Sequence, residues 1–246
     1  MARRTRQSPP SLLVIIVICL IIAVLLYRNM QRTRTHTPEI HCGEHCGTER
    51  WQIKTASDAE AASINPAPQS SSIAELASLP APRESGDTRS EAETHIYSVE
   101  AILLGWKAET GEHGDRDYHL VLADPDDPNR TMIAEVPSGD CANACSSSHL
   151  QQFLQTRQIL LSHFPEPHAQ FRYFTPAWRV RVEGMGFFDM FHRQKGVAEN
   201  CIELHPVVKI EFLRELEPQE SPPHRTSESG EHHCTHIERS SGSEDE

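Results

Sequence analysis

The sequence has 246 residues and carries 35 acidic against 23 basic side chains, a formal net charge of −12. The imbalance is larger beyond Arg34, because the first 34 residues hold six arginines and no acidic residue, leaving 17 basic and 35 acidic residues for the remainder. A surface this anionic repels polyanions, so nucleic acid is disfavoured as a partner. Much of the chain is also too polar and proline-rich to pack into a core. The globular part is therefore expected to be smaller than the chain.

A basic segment, residues 1–11, precedes an unbroken apolar run over residues 12–27. The 16 residues of this run are slightly few for a membrane helix of about 17–25 residues but many for a signal-peptide core of about 7–15. No small-residue cleavage pattern follows it. The run predicts an uncleaved, single-pass signal anchor, with cleavage as the alternative. Three arginines precede the run and three follow it, so the charges favour a cytoplasmic amino terminus only weakly.

Cysteine usage gives a second indication of compartment. Six cysteines lie beyond the apolar run, an even number typical of an oxidising environment: Cys42, Cys46, Cys141, Cys145, Cys201 and Cys234. Together with the anchor, they place the carboxyl-terminal portion in the periplasm or outside the cell.

The composition divides the rest of the chain into three parts. Residues 28–94 are rich in Ala, Ser and Pro and predict a cysteine-containing linker or wrapping segment, in which Ser72–Leu79 alone favours a short helix. Residues 95–214 carry the periodic apolar sequence of a folded domain. Residues 215–246 form an acidic tail without apolar periodicity, which predicts disorder.

Within residues 95–214 the elements alternate in a recognisable order. Three runs indicate strands, "HIYSVEAILLGW", "YHLVLAD" and "TMIAEV". Apolar residues at helical spacing, Leu150, Phe153, Leu154, Leu161 and Phe164, then predict one amphipathic helix. Two further strands follow, "WRVRVEGMGFF" and the stretch ending "CIELHPVVKIEF". The predicted fold is mainly β (α+β), a five-stranded OB-like barrel with one helix between strands three and four.

In the last strand, the even positions from Ile202 to Phe212 are apolar, and Glu203 and His205 fall on the opposite face. Pro206 cannot donate to a strand ladder, which indicates an edge or a bulge at that position.

Five ordered motifs carry a resemblance: "CGTERWQIKT", "DYHLVLAD", "TMIAEVP", "GMGFFDMFH" and "GVAENCIELHPV". They resemble an uncharacterised family of secreted or envelope-associated bacterial proteins with patterns such as C-G-x-E-R-W-x-V-K-T, D-Y-H-L-V, T-M-I-A-E-I-P and G-V-A-P-N-x-I-E-L-H-P-V. The resemblance covers about Cys46 to Phe212, and the sequence departs from it at Glu199 and Cys201. It implies a bacterial source and extracytoplasmic placement, and it implies no catalytic role. With the anchor, the predicted location is the bacterial inner membrane, with the carboxyl-terminal domain in the periplasm or at the cell exterior.

The resemblance also implies a disulfide between Cys46 and Cys141, the two cysteines that match the family pattern. Cys42 and Cys145 are then left as a possible second pair. The alternative for "HCGEHC" is a metal site, but zinc sites usually draw ligand pairs from separate segments. The histidines of "EHHCTH" in the tail would bind metal only nonspecifically. The sequence therefore predicts no metal site.

Two segments offer residues for ligand contact. Arg50, Trp51 and Lys54 lie together ahead of the folded domain and could grip an anionic ligand or a sugar, although docking of Trp51 on the domain is the favoured interpretation. The loop before the last strand brings aromatic and basic residues together, of which Phe188, His192 and Arg193 are the candidates. The alternative is that its aromatic residues belong to the core.

Polar residues inside strands are the candidates for catalysis. His119, Glu203 and His205 could supply general acid–base chemistry if they converge, with Glu135 and Asp124 as further polar residues of this kind. Asp124 is also explained by turn chemistry.

Three functions follow from these patterns. The favoured one is a membrane-anchored, non-enzymatic, extracytoplasmic module that binds an unidentified protein or glycan without a cofactor. The alternatives are a nuclease-like or glycan-directed hydrolase, which could work with or without a divalent metal, and a structural envelope component.

Overall fold

The computed structural model of this protein describes residues 20–22, 24, 42–43, 46–47, 49–83, 86–110, 114–191 and 194–217. The chain divides into two compact units, residues 1–40 and residues 41–246. Most of the predicted anchor, the first 11 residues and the predicted tail from residue 218 onward lie outside the described residues. Among the residues that are described, no helix is long and apolar enough to span a membrane.

The second unit is mainly β, as predicted, but its sheet has six strands rather than five. The additional strand, Asn65–Ser71, lies in the predicted linker, where two prolines in seven residues remove the usual strand signal. It pairs in parallel with the next strand at one end of the strand order, a position where proline is tolerated. The strands are β1 Asn65–Ser71, β2 His95–Ala108, β3 Tyr118–Ala123, β4 Thr131–Val136, β5 Arg172–Phe188 and β6 Ile202–Glu215.

The strand order is β1-β2-β3-β4-β6-β5, and β2 also pairs with β5. The pairings of β2 with β3, β3 with β4, β5 with β6 and β2 with β5 are antiparallel. In contrast, β4 and β6 run in parallel, with Ala134 opposite Leu204. This parallel pairing brings strands that are far apart in the sequence side by side.

Among the described residues of the second unit, four α-helices connect and cover the strands: α1 Trp51–Lys54, α2 Ile73–Ala77, α3 Ala142–Ser146 and α4 Leu150–His163. Two 3-10 helices, Ala61–Ser63 and Glu91–Thr94, complete the segment before β2. The predicted helix at Ser72 is confirmed as α2, which begins with a reciprocal capping box between Ser72 and Glu75.

Helix α4 confirms the helix predicted between the third and fourth strands of the domain, β4 and β5. Its buried face differs from the expected one, because Phe153, Thr156 and Leu160 are buried while Leu161 is exposed. Positions 153, 156 and 160 follow the helical period, and Leu161 lies about 100° further round the helix.

Buried apolar residues form three clusters within the described part of the chain, two of them large. The central core lies on one face of the strands and includes Leu120, Ala134 and Leu204. Because side chains alternate between faces, His119, Glu135, Glu203 and His205 lie on the opposite face of β3, β4 and β6, here called the outer face.

The segment before β2 contributes much of the second cluster, which includes Trp51, Ala61 and Ile64. Two disulfides hold the start of this segment, one between Cys46 and Cys141 with Cα atoms 5.5 Å apart, and one between Cys42 and Cys145 at 5.6 Å. The first is the pair that the family resemblance implies, and the second is the pair that was then left as possible. Residues 49–94 thus wrap the sheet as well as linking to it.

Strand β6 does not alternate regularly. Gly184 pairs with Val207 and Gly186 with Leu204. Between these two pairs β6 contains one residue more than β5, which is a bulge. The bulge includes Pro206, as expected from its missing donor. Val207 therefore joins the central core and Val208 the second cluster, which corrects the expectation that every even position faces one side.

Candidate functional site

A buried network of charged side chains occupies the outer face, with Glu135 at its centre. Glu135 Oε1 lies 2.7 Å from His119 Nδ1, and Glu135 Oε2 lies 3.2 Å from His205 Nδ1. The side chains of both histidines are completely buried, and that of Glu135 is 3% exposed. One carboxylate on β4 therefore links a histidine on β3 to a histidine on β6.

His205 is held by carboxylates at both ring nitrogens. Its Nε2 lies 3.0 Å from Asp117 Oδ2, and its Nδ1 lies 3.1 Å from Glu203 Oε1. The ring of Phe187 meets the imidazole edge-on at 5.7 Å between centroids. The backbone N–H of Ser138 donates to the other oxygen of Asp117 at 3.0 Å. These contacts fix both the position and the orientation of the ring.

His119 lies nearer the edge of the network. Its Nε2 donates to the backbone oxygen of Lys195 at 3.1 Å, and its Nδ1 lies 3.5 Å from Glu109 Oε1. Lys107 and Gln194 both donate to that Glu109 oxygen, at 2.8 Å and 3.2 Å. The side chains of Glu109 and Lys107 are 17% and 24% exposed, so this side of the network reaches solvent.

Lys54 forms the opposite side of the network. Its Nζ lies 3.8 Å from Asp189 Oδ1 and 4.0 Å from Asp115 Oδ2, and it lies 5.4 Å from the centroid of the Phe187 ring. Helix α1 carries this lysine, and the Cys46–Cys141 disulfide lies just before the helix. The segment before the domain thus supplies a cation to the outer face.

Local periodicity explains how the network is assembled. Asp117 and His119 are two residues apart and point to the same side of the chain as it enters β3. His119 is directly opposite Glu135 in the antiparallel pairing of β3 with β4. The parallel pairing of Ala134 with Leu204 then sets Glu135 beside Glu203 and His205.

The contacts within the network raise the pKa values of the two histidines and lower that of Glu135. Burial alone would lower the pKa of His119, but the carboxylates of Glu109 and Glu135 raise that pKa to about 9. Burial likewise opposes the charge on His205, yet contacts with Asp117 and Glu203 raise its pKa well above the ordinary value. Burial favours the neutral acid of Glu135, but its contacts with the two histidines lower its pKa.

Two other acids of the network, Glu203 and Asp115, have raised pKa values, in contrast to Glu135. Burial, with the charges of Glu135 and Asp189, raises the pKa of Glu203 to about 7. Burial, with the charges of Asp117 and Glu135, raises the pKa of Asp115 to about 8. For Lys54, burial would lower the pKa, but the surrounding carboxylates raise it above the ordinary value. Protons and Lys54 therefore offset much of the buried negative charge.

The proposed ligand-contact residues are largely buried. Trp51 is 4% exposed, Phe188 1% and Lys54 9%, so their side chains are not presented to solvent. This placement agrees with the favoured interpretation, in which Trp51 docks on the domain, and with the alternative in which Phe188 belongs to the core. His192 and Arg193 lie outside the described residues.

Arg50 is tied to the fold rather than offered to a ligand. Its guanidinium contacts both oxygens of Glu93, at 2.6 Å and 3.0 Å, and donates to the backbone oxygens of Gly86, Thr88 and Phe188. Glu93 in turn accepts from the backbone N–H of Phe188 at 3.0 Å. Arg50 and Glu93 therefore join the wrapping segment to the end of β5.

The structure thus brings together His119, Glu203 and His205, with Glu135 as the link that joins them. Asp124 lies elsewhere, where it accepts from the N–H of Asp126 and pairs with Arg130, as turn chemistry predicts.

Sequence reasoning did not select the remaining acids of the network, which are Glu109, Asp115, Asp117 and Asp189. The signal for Asp115 and Asp117 was present, because they continue the two-residue spacing of His119 into a stretch interpreted as a polar loop. For Glu109 and Asp189, the sequence carries no comparable pattern.

No protein-family model, no curated protein and no solved structure matches this chain. The case for function therefore depends on the chemistry of the outer face.

Proposed function

We propose that this chain is a membrane-anchored, extracytoplasmic bacterial protein that hydrolyses small phosphodiesters on an OB-like barrel. The observation that carries the proposal is the meeting of His119, Glu203 and His205 through Glu135 on the outer face. Buried groups with strongly shifted pKa values concentrate at functional sites. Burial of charged groups opposes stability, so such a cluster indicates a role other than stabilising the fold. The proposal extends to the apolar run at residues 12–27 as the anchor and to membership of the bacterial family with the five motifs.

The strand pairing supports the OB-like part of the proposal. Five strands are joined in a ring by the β2–β5 pairing, two of them run in parallel, and α4 lies between the third and fourth strands of that ring. In OB folds, the loops after the first and fourth strands border the ligand face. Here those loops begin at Glu109 and Asp189, and both residues belong to the network.

The charges at the edge of the network favour a phosphodiester. Lys107 lies at the exposed edge of the acid–base cluster, with its side chain 24% exposed. An ammonium group at this position suits a phosphate anion of limited size. A long polyanion is disfavoured, because the chain beyond Arg34 carries 17 basic against 35 acidic residues.

The reaction follows from the residue types present. A basic group of the cluster takes a proton from water as the water oxygen attacks phosphorus, the bond from phosphorus to the leaving oxygen breaks, and an acidic group returns a proton to that oxygen. His119, which lies nearest the exposed edge and whose raised pKa keeps it protonated, is the proton donor to the leaving oxygen that we assign, and the carboxylate of Glu109, 17% exposed, is the proton acceptor. His205, fixed by Asp117 and Glu203, completes the proton relay through Glu135.

The test is hydrolysis of bis(p-nitrophenyl) phosphate by the full chain in detergent, with RNA, DNA and p-nitrophenyl glycosides as comparison substrates. We expect turnover that falls by about 100-fold or more in Glu203→Gln and His205→Gln, as general acid–base catalysis requires. Glu211→Gln on the same strand and His163→Gln on α4, both exposed, are the matched controls and should retain it. Equal turnover in Glu203→Gln and Glu211→Gln, or no turnover of any substrate, would overturn the proposal.

A non-catalytic OB-like module, which binds an unidentified protein or glycan, is the second candidate, favoured by the ring of strand pairings. It predicts saturable ligand binding without turnover in the same panel, unaffected by Glu203→Gln.

A further inference from the structure

The residue just before β6 is a cysteine that the two disulfides of the wrapping segment do not use. Cys201 is buried, with 4% of its surface exposed, and it is itself disulfide-bonded. The four cysteines of the other two disulfides bond with one another, so none of them pairs with Cys201. Of the seven cysteines in the chain, Cys19 and Cys234 remain as partners, and both lie outside the described residues.

The backbone around Cys201 is a rigid attachment point. Its N–H donates to the backbone oxygen of Ala198 at 3.0 Å, and its carbonyl oxygen accepts from the N–H of Asp189 at 3.1 Å. The side-chain amide of Asn200 donates to two backbone oxygens of the wrapping segment, both at 2.9 Å. The φ angle of Cys201 is 60°, a left-handed conformation that is strained for any residue with a Cβ atom. The surrounding contacts therefore hold the cysteine in a conformation that it does not favour by itself.

Cys19 is poorly placed to be the partner. It is the eighth of the 16 residues in the apolar run, so it lies at the middle of the anchor. At a rise of about 1.5 Å per residue, this position is roughly 12 Å from either end of the helix. Disulfide formation proceeds through a thiolate, and the hydrocarbon of a bilayer holds no water to stabilise that anion. This step rests on the anchor in the proposed function.

Cys234 is within reach of Cys201. Strand β6 carries the chain to Leu216, whose N–H donates to the backbone oxygen of Ala177 at 2.9 Å. The 15 positions from Cys201 to Leu216 span at most about 50 Å as a strand. The 18 positions from Leu216 to Cys234 cover up to about 59–65 Å when extended. The tail is therefore long enough to return along β6 to its first residue.

From these observations we propose that Cys201 and Cys234 form a third disulfide, which fastens the acidic tail to the start of β6. Its formation transfers two electrons and two protons from the two thiols to an oxidant of the disulfide class, which leaves as two thiols. All six cysteines beyond the apolar run are then paired, as an oxidising compartment favours. The composition of the tail predicts only disorder, so this attachment adds a constraint that composition does not indicate.

The bond places the tail beside one edge of the outer face. Asp189, whose N–H donates to the Cys201 carbonyl, also contacts Lys54 with its carboxylate, at 3.8 Å. Asp189 begins the loop between β5 and β6, which borders the ligand face in the proposed OB-like barrel. Residues 217–234 thus become a strap that starts at the end of β6 and is fastened next to this loop.

The test is thiol counting and tryptic mapping of the full chain, isolated in detergent with N-ethylmaleimide present to block thiol exchange. In denaturant without reductant, we expect one labelled thiol per chain, on Cys19. Trypsin cuts after Arg225 and Arg239 and releases peptide 226–239, which contains Cys234. We expect this peptide to stay joined to peptide 196–209, which contains Cys201, until dithiothreitol is added.

Two variants control the experiment without altering the folded domain. Cys234→Ser should release peptide 226–239 without reductant and raise the number of labelled thiols from one to two. Cys19→Ser is the matched control, in which the linked peptides should persist and no thiol should be labelled. Three labelled thiols in the unsubstituted chain would overturn the inference, as would a bond between Cys234 residues of two copies.

The inference and the proposed function fail separately. Three labelled thiols in a protein that turns over phosphodiesters would overturn the disulfide alone. Linked peptides in a protein without turnover would support the disulfide and overturn the hydrolase. A bond between Cys201 and Cys19 would overturn the inference and also contradict the anchor.

Discussion

Glu135 contacts His119 through one carboxylate oxygen, at 2.7 Å, and His205 through the other, at 3.2 Å. These two histidines are 86 residues apart in the sequence and lie on strands that do not pair with one another. The contact exists because β4 lies between β3 and β6, antiparallel to the first and parallel to the second. The stability and chemistry of the outer face should therefore be most sensitive to this one residue.

Substitution of Glu135 by Gln tests that sensitivity. The amide keeps the shape of the side chain but leaves two buried histidines without their shared carboxylate, so we expect a loss of about 3–5 kcal/mol in unfolding free energy. Urea denaturation followed by circular dichroism provides the measurement. Glu211→Gln, which breaks an exposed pair with Arg181, is the control and should cost less than about 1 kcal/mol. Similar losses in both variants would contradict a central role for Glu135.

Glu93 should make the fold sensitive to acid. Burial alone would raise its pKa, but hydrogen bonds from Arg50 and from the backbone N–H groups of Phe188 and Ser90 lower it below the ordinary value. A carboxylate with a lowered folded pKa stabilises the protein above its unfolded pKa of about 4.3, and this contribution is lost as pH falls through the folded pKa.

We therefore expect Glu93→Gln to lower the unfolding free energy by about 3–5 kcal/mol at pH 7 and at pH 5. The difference from the unsubstituted chain should shrink as pH falls below about 4. Urea titrations at a series of pH values measure both quantities. Glu91→Gln, exposed on the same 3-10 helix, is the control and should have little effect. If the difference in unfolding free energy between the two proteins grew as pH fell, the lowered pKa of Glu93 would be contradicted.

Loss of both disulfides should release the wrapping segment, because either one alone still closes the loop. Cys46 and Cys141 are 95 positions apart, and closure of a loop of that size contributes up to about 4–5 kcal/mol in the chain-entropy description. We expect the variant with Ser at all four cysteines, Cys42, Cys46, Cys141 and Cys145, to be destabilised towards that limit and the fluorescence of Trp51, 4% exposed, to change as the segment detaches. Non-reducing peptide mapping of the native chain should recover both this pair and Cys42–Cys145; finding all four thiols free would refute the assignment.

Gly105 tests the closure between β2 and β5. A Cβ atom there would collide with the backbone oxygen of Arg172 and the backbone of Tyr173, at a place where the pairing shifts register. Backbone cannot yield as a flexible side chain does, so Gly105→Ala should cost about 1–3 kcal/mol, the usual range for overpacking. Gly86→Ala, whose Cβ would lie 4.0 Å from Thr88 Oγ1, is the matched control and should be near neutral. Thermal unfolding distinguishes the two variants.

The sequence by itself determined much of the local structure. The apolar run of β3, the alternation along β5, the helical spacing of α4 and the composition of Ser72–Leu79 are local signals, and they led to the correct element types. Pro206 predicted an irregular last strand, because a missing donor is a property of the residue wherever it lies. The wrapping segment was harder, since β1 is built from residues that resemble a linker and is held by β2 and not by its own strand propensity.

The site depended on tertiary structure. Periodicity put Glu203 and His205 on one face of their strand, but only the parallel pairing of β4 with β6 sets Glu135 beside them, and local patterns do not specify which distant strands pair. Asp189 and Lys54 join the network through a loop and a disulfide-held helix that have no regular spacing. The sequence thus determined which polar residues occupy strands, and the tertiary structure decided which of them meet, because convergence depends on strand order and register rather than on local propensity.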